Sequence, residues 1–273
     1  MEGLVVLGSG SRGNAIYIGG PTTRLLVDCG LSARQVRLRL KQIGVDPASL
    51  DAVLISHEHH DHVGGLGVLE RLRHTTCYAN RLTVEGMGRY VPDRPDRLKV
   101  FSTGEPFEIG DFWVNPFPVL HDALDPVGFE LRLNGLKIGI TTDLGHATTL
   151  VRERLTGADI LVLETNHDEN LLKNNVRRPW PLKQRILSKT GHLSNAAAAK
   201  LLADTATDST RQIVLAHLSQ ECNTPALARQ AVLAHLELVG RGDVPIEVSR
   251  QNTVGSRISF QGAVRTGEER ALP

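Results

Sequence analysis

The sequence predicts a layered α/β domain in which helices cover β-sheets, as an αββα sandwich or a related layered arrangement. Three observations predict it. Short apolar runs with strand character recur along the chain, among them GLVVL at 3–7, AVLIS at 52–56 and QIVLA at 212–216. Helix-like stretches with their own start signals lie between them. The 273 residues, 41% of them apolar, are enough to bury a substantial core. No internal repeat or long linker divides the chain, so one domain is expected over residues 1–260. The patternless residues 261–273 are expected to form a flexible tail.

The elements follow in order. Gly3 to Leu7 reads as a buried strand, followed by a glycine-rich turn and a second strand from Ala15 to Ile18. Arg24 to Asp28 is a third, closed by Cys29 and Gly30. Ser32 is a natural cap for a helix through Ile43, whose apolar stripe is Val36, Leu40 and Ile43. Ala52 to Ser56 is a strand that runs into a histidine-rich loop, and Val63 to Leu72 reads as a helix. Phe112 to Phe117, Val127 to Leu133 and Lys137 to Thr141 are strands, the last two joined by the hairpin pair Asn134-Gly135. Ile160 to Leu163 is a short apolar strand. Ser194 opens an alanine-rich helix to about Ala206, Gln212 to Ala216 is a strand, and Pro225 to Val239 is a helix. Ile246 to Val248 and Arg257 to Phe260 would close the sheets.

Composition narrows the function classes. A formal net charge of +1 leaves no wholesale basic surface, so nucleic-acid binding would need a local patch. The cysteines are Cys29, Cys77 and Cys222, an odd set without a CxxC pair, which argues against a disulfide framework or a cysteine zinc site. The opening MEGLVVLGSGSRGN lacks the basic n-region of a signal peptide, and no run of about 18 apolar residues offers a membrane span. A soluble, cytoplasmic protein with no membrane partner is expected. GSGSRGN is not a P-loop, since no GK[ST] follows, so no nucleotide cofactor is expected.

The chemistry concentrates in Ser56-His57-Glu58-His59-His60-Asp61-His62. Four imidazoles in six residues repel one another if protonated, and shared metal ions resolve that conflict. His57 and His59 can face one ion and Asp61 and His62 a second. The remaining ligands must come from strand ends on the same sheet edge. His121, Asp143 and His217 each follow an apolar strand, where loops carry function. The expected set is His57, His59 and His121 for one metal, Asp61, His62 and His217 for the other, and Asp143 bridging. Five imidazoles and two carboxylates suit zinc, with manganese or iron as alternatives. Two dications, less two carboxylates and a bridging hydroxide, leave a site of net positive charge that favours a phosphodiester.

These residues resemble the metallo-β-lactamase superfamily and, within it, the YycJ (WalJ) family of bacterial metal-dependent hydrolases. The resemblance is carried by LGSGSRGNA at 7–15, SHEHHDHVGGLGVL at 56–69, TTDLG around Asp143, ETNHD at 164–168, RPWPLKQRI at 178–186, GHLSN at 191–195 and LAHLSQECN at 215–223. It implies an αββα sandwich, a dinuclear site, and a DNA 5′-to-3′ exonuclease in which a metal-bridging hydroxide attacks phosphorus. It also implies the ligand set above, and places Asp28 behind the ligands as a supporting residue. GHLSN and AHLSQ look alike. In related phosphodiesterases the last ligand ends a strand and a separate histidine opens a helix. His217 is therefore assigned to metal, and His192, with Asp61, is a candidate catalytic residue. His192 would touch the scissile phosphate or protonate the leaving oxygen.

ETNHD follows a strand and has two readings. Asn166 and His167 face substrate, or the segment forms a polar network supporting the ligands, with Glu164 in the second role. From Asn170 to Gly191 there are six basic residues and no acidic ones, with Trp180 among them. Arg177, Arg178 and Lys183 are candidates for phosphate binding, Trp180 for stacking on a base, and Ser194 for a substrate contact. A solvated basic helix is the alternative. The favoured function is a metal-dependent nuclease or phosphodiesterase acting on nucleic acid, DNA before RNA. The alternatives are a hydrolase of a small ester, thioester or cyclic phosphodiester in the same fold, and a non-catalytic, metal-bearing regulatory protein.

Overall fold

Alternating apolar positions along the strands build two mixed sheets that pack face to face. The computed structural model describes residues 1–67, 74–91 and 97–260. Its first sheet has the order β1-β2-β3-β4-β5-β6: β1 (Gly3–Gly8), β2 (Ala15–Gly19), β3 (Arg24–Val27), β4 (Ala52–Leu54), β5 (Thr76–Asn80) and β6 (Leu98–Phe101). The first three strands are antiparallel, and β3 to β6 run parallel. The second sheet is β13-β12-β11-β10-β9-β8-β7: β7 (Phe107–Ile109), β8 (Phe112–Pro118), β9 (Val127–Leu133), β10 (Leu136–Thr141), β11 (Ile160–Glu164), β12 (Gln212–Ala216) and β13 (Ile246–Val248). Here β7 to β10 are antiparallel, and β10 to β13 parallel.

Three apolar layers hold the sandwich. Leu4, Val6, Ile16 and Leu25 of the first sheet meet Val114, Phe129, Leu131 and Ile138 of the second between the sheets. The odd positions of β1, Val5 and Leu7, turn outward onto α1 (Ala33–Gln42) with its Val36 and Leu40; Cys77, Val84 and Met87 join that layer. The outer face of the second sheet is covered by α4 (Thr149–Leu155), α7 (Asn195–Thr205) and α8 (Pro225–Leu238), through residues such as Val151, Leu202 and Val232. Four layers in the order helix, sheet, sheet, helix make this the αββα member of the two arrangements expected. The shorter helices are α2 (His60–Val63), α3 (Arg81–Met87), α5 (Glu169–Asn174) and α6 (Trp180–Leu187).

Caps and turns fall where the sequence puts them. Ser32 accepts from the Gln35 amide, Ser194 from that of Ala197, and Thr224 from that of Leu227. Asn134 (φ 48°) and Gly135 (φ 82°) both take positive φ in the two-residue β9–β10 hairpin. Two expectations change. The helix read over Val63–Leu72 instead begins within the histidine loop, as the single turn α2 capped by His59. Gly65 then turns back to bond the Cys29 carbonyl, and the remainder, 68–72, lies outside the described residues. Arg257–Phe260 forms no strand of the sheets; Ile258 makes an isolated bridge with Leu4. The expected tail, 261–273, also lies outside the described residues. Among the described residues no helix is long and apolar enough to cross a membrane.

Strands β3, β4, β8, β10, β11 and β12 all end at one edge of the sandwich. At or just beyond these ends lie Asp28, the histidine loop, His121, Asp143, Glu164 and His217 respectively, Glu164 being the last residue of β11.

Candidate metal centre

The donors expected from the sequence converge. The His59 Nδ1 lies 3.1 Å from the His57 Nε2 and 3.3 Å from the His121 Nε2. Next to this trio, the His62 Nε2 is 2.9 Å from Asp143 Oδ2 and 3.7 Å from Asp61 Oδ2, and the His217 Nε2 is 3.4 Å from the same Asp61 oxygen. Asp143 Oδ1 lies 3.6 Å from the His121 Nε2 and 3.4 Å from the His217 Nδ1. Asp143 thus touches both sets.

Each imidazole is aimed by its other nitrogen. The His62 Nδ1 donates to Asp28 at 2.7 Å. The His57 Nδ1 donates to Ser56 Oγ at 3.0 Å, and that hydroxyl donates in turn to Asp28. The His121 Nδ1 donates to the Gly191 carbonyl at 3.0 Å, and the His217 Nδ1 to Glu164 Oε1 at 2.9 Å. With Nδ1 turned to these partners, the four Nε2 atoms face the cluster.

Glu164 is fully buried and accepts four bonds. Its Oε1 takes His192 Nδ1 at 2.7 Å and His217 Nδ1, and its Oε2 takes the amides of Leu144 and Leu193. One carboxylate therefore fixes the segments carrying Asp143, His192 and His217. Asp28 (φ 59°) and His217 (φ 54°) adopt left-handed backbone, a conformation costing about 1–3 kcal/mol for residues other than glycine. At both, the chain leaves a strand and turns its side chain into the site.

The electrostatics follow from this crowding. Burial lowers the His62 and His217 ring pKa values, but facing carboxylates outweigh it and hold both well above the usual histidine range. These are Asp28, Asp143 and Asp61 for His62, and Asp143, Asp61 and Glu164 for His217. Burial drives His57 well below that range, with the nearby His62 adding to it and Asp143 opposing it, and burial also lowers His121. Burial would raise Asp143, but His217 and His62 hold it well below the usual carboxylate range.

The donor set fits divalent metal. The His57 Nε2, His59 Nδ1 and His121 Nε2 converge within hydrogen-bond distance, more ring nitrogens than one shared proton can satisfy, and Asp143 Oδ2, although close to the His62 ring, is buried without a hydrogen bond. A cation between such groups removes the conflict. His57, His59 and His121 can hold one ion, and Asp61, His62 and His217 another, with Asp143 reaching both.

The remaining candidates separate. His192 lines a cleft of about 260 Å³ beside the cluster, with Nδ1 on Glu164 and Nε2 unengaged. Burial lowers its pKa, but Glu164 outweighs this and raises it above the usual value. Asn166 lines the same cleft while its amide donates to the His217 carbonyl. Arg178 lines the cleft; Arg177 and Trp180 are exposed outside its lining. Lys183 is buried and donates to the Lys173 carbonyl, so it ties α6 to α5 and does not face the cleft. Ser194 caps α7. His167 is buried, neither ring nitrogen has a hydrogen-bond partner among the described residues, and burial pushes its pKa down to about 4, so the ring is neutral.

Sequence reasoning left out Ser9, Asn14 and Asp122, and held Arg185 only as one of the six basic residues of the 170–191 segment. The Asn14 Nδ2 lies 3.1 Å from the His62 Nε2, and its backbone amide donates to the Asp61 carbonyl. Ser9 Oγ bonds the Asn14 side chain and accepts from the His217 amide, so the glycine-rich loop buttresses both halves of the cluster. The SGSRGN pattern held this signal, but a turn explained it equally well. Arg185 pairs through Nε with Asp122, whose Oδ1 is 3.3 Å from the His121 Nε2.

Known proteins share this organisation. The Beta-lactamase superfamily domain model matches residues 23–218. A Bacillus anthracis protein named Exodeoxyribonuclease YycJ is 40% identical over 238 residues, covering 87% of this chain and 90% of its own. Exodeoxyribonuclease WalJ of Streptococcus pneumoniae is 36% identical over 234 residues, covering 85% and 87%. The crystal structure of the metallo-β-lactamase fold protein YhfI from Bacillus subtilis superposes with a TM-score of 0.69 at 18% identity, over 93% of this chain and 99% of that one.

Proposed function

The chain belongs to the YycJ/WalJ family of the β-lactamase superfamily, and on that premise we propose that it is a metal-dependent phosphodiesterase that degrades DNA from an end. The observation that carries the reading is a seven-donor cluster opening beside a cleft that holds His192 and arginine side chains. Bound divalent ions, zinc or manganese before iron, supply Lewis-acid activation of water and of phosphoryl oxygens.

The chain's own residues do the rest. Asp143 spans the two donor sets and fixes their separation. Asp61 anchors the second set as its partly exposed carboxylate. Glu164 orients His192 through Nδ1, so the protonated Nε2 faces the cleft as the acid for the departing oxygen. Asn166 stands beside it for a phosphate oxygen. The relatives' names favour DNA over RNA as substrate. Three buried, unpaired cysteines suit a reducing, cytoplasmic setting.

The test is incubation of the purified protein with linear 5′-phosphorylated duplex DNA and with single-stranded RNA, in zinc or manganese, beside Asp143→Ala. Cleavage of DNA that vanishes in the variant is expected, and the product ladder gives polarity. A metal-loaded protein that cuts neither polymer would sink the nuclease reading and redirect the search to small phosphodiesters or thioesters.

A further inference from the structure

The cleft beside the metal centre carries a feature that hydrolysis does not require. Arg178, just before α6, and Arg185, in its last turn, both line it. Each guanidinium is held by a carboxylate at Nε alone: Arg178 by Glu221 at 3.0 Å, and Arg185 by Asp122. Among the described contacts, the terminal Nη nitrogens of both are unengaged. A guanidinium gripped at Nε presents its remaining N–H groups in a fixed plane, which suits bidentate binding of a tetrahedral oxyanion. Ser11, Asn166 and Ser219 add polar groups to the same wall, and Leu182 and Ile186 supply apolar lining.

Size and charge select the ligand. The volume of about 260 Å³ lies below the ~300–1,000 Å³ of pockets that enclose whole small molecules, so the cleft suits a single group such as a phosphate. A phosphomonoester carries about −1.5 to −2 at neutral pH, and a backbone diester only about −1. Asp122 and Glu221 balance the two guanidinium charges, so the monoester is favoured by its three acceptor oxygens, one more than a diester offers to the unengaged Nη–H donors. His192 forms part of the same lining, so an anion seated there is a near neighbour of the linkage being cut.

We propose that this cleft is a terminal-phosphate subsite, in which Arg178 and Arg185 grip the phosphomonoester at a strand end and Asp122 and Glu221 position them. The subsite rests on the nuclease reading above and deepens it: the end group determines where the strand is seated.

The test separates the two. Metal-loaded protein is titrated by fluorescence anisotropy with duplexes whose end-proximal linkages are methylphosphonates, which resist hydrolysis. The duplexes carry a 5′-phosphate, a 3′-phosphate or hydroxyl ends only, and inorganic phosphate serves as competitor. One phosphorylated end should bind tighter than the hydroxyl end by about tenfold or more, the size of one or two charge-assisted hydrogen bonds. Arg178→Gln and Arg185→Gln should each collapse that ratio towards one. Arg177→Gln, outside the cleft, should keep it, and inorganic phosphate should compete only with the phosphorylated end. Equal affinity for all three ends, or a preference that survives both variants, overturns the subsite. Cleavage of the natural duplexes in the same buffer reports separately on the nuclease reading.

Discussion

The two halves of the metal centre are built by different means. The first sheet delivers His57, His59, Asp61 and His62 from one loop after β4, and Asp28 orients two of them, His62 directly and His57 through Ser56. The second sheet delivers His121, Asp143 and His217 singly, after β8, β10 and β12, and needs Glu164 to hold three separate segments together. A contiguous loop is preorganised by its own chain. Scattered ligands depend on a buried hub, and their alignment fails together when the hub is lost.

The largest effect should fall on Asp143, which touches both halves. Asp143→Ala should lower kcat/KM on DNA by roughly 10³-fold or more, several kcal/mol at tenfold per 1.36 kcal/mol, and lower the metal content per chain measured by plasma mass spectrometry. Full metal content and activity would show that the halves work independently.

His192 hangs on the hub without being assigned to metal. His192→Gln should cut kcat by about 10²-fold while metal content holds, and a parallel loss of metal would make it a ligand instead. Glu164→Gln and Asp28→Asn compare the two supports directly. Each should weaken metal affinity by roughly 10–100-fold, Glu164 at the upper end because three segments lose their anchor. Equal losses in chelator titrations would contradict the hub.

The smallest effects test the contiguous loop. A Cβ on Gly30 would clash with the Asp61 carbonyl oxygen, whereas one on Gly67 meets nothing within 4 Å among the described residues. Gly30→Ala should cost about 1–3 kcal/mol in thermal unfolding and displace the loop, and Gly67→Ala should stay within about 0.5 kcal/mol. Similar melting temperatures for the two would mean the loop is not held by that contact.

The same asymmetry decided what the sequence disclosed. HxHxDH is dense enough to be read alone. His121, Asp143 and His217 became candidates only as strand-end residues once the loop demanded partners. Lys183 sits in a basic run that looks uniform in sequence, and only the packing of α6 on α5 buries it and leaves Arg178 and Arg185 facing the cleft. Asn14 and Ser9 escaped because their partners, His62 and His217, are remote in sequence and glycine-rich turns are common. Of the fold, the long strands and the capped helices were legible. The three-residue β7 and the short parallel strands β5 and β6 carry too little pattern, and β6 alternates poorly because two of its residues are exposed.

The left-handed backbone at Asp28 and His217 bears on the life of the protein in a cell. Each position is a spring held compressed, at about 1–3 kcal/mol, by the buried contacts around it. Metal binding stabilises the folded chain by mass action, so a starved cell holds a looser population that opens more often and meets proteases more often. The amount of this protein should therefore track divalent-metal supply even at constant synthesis, making its turnover a gauge of the ion it uses.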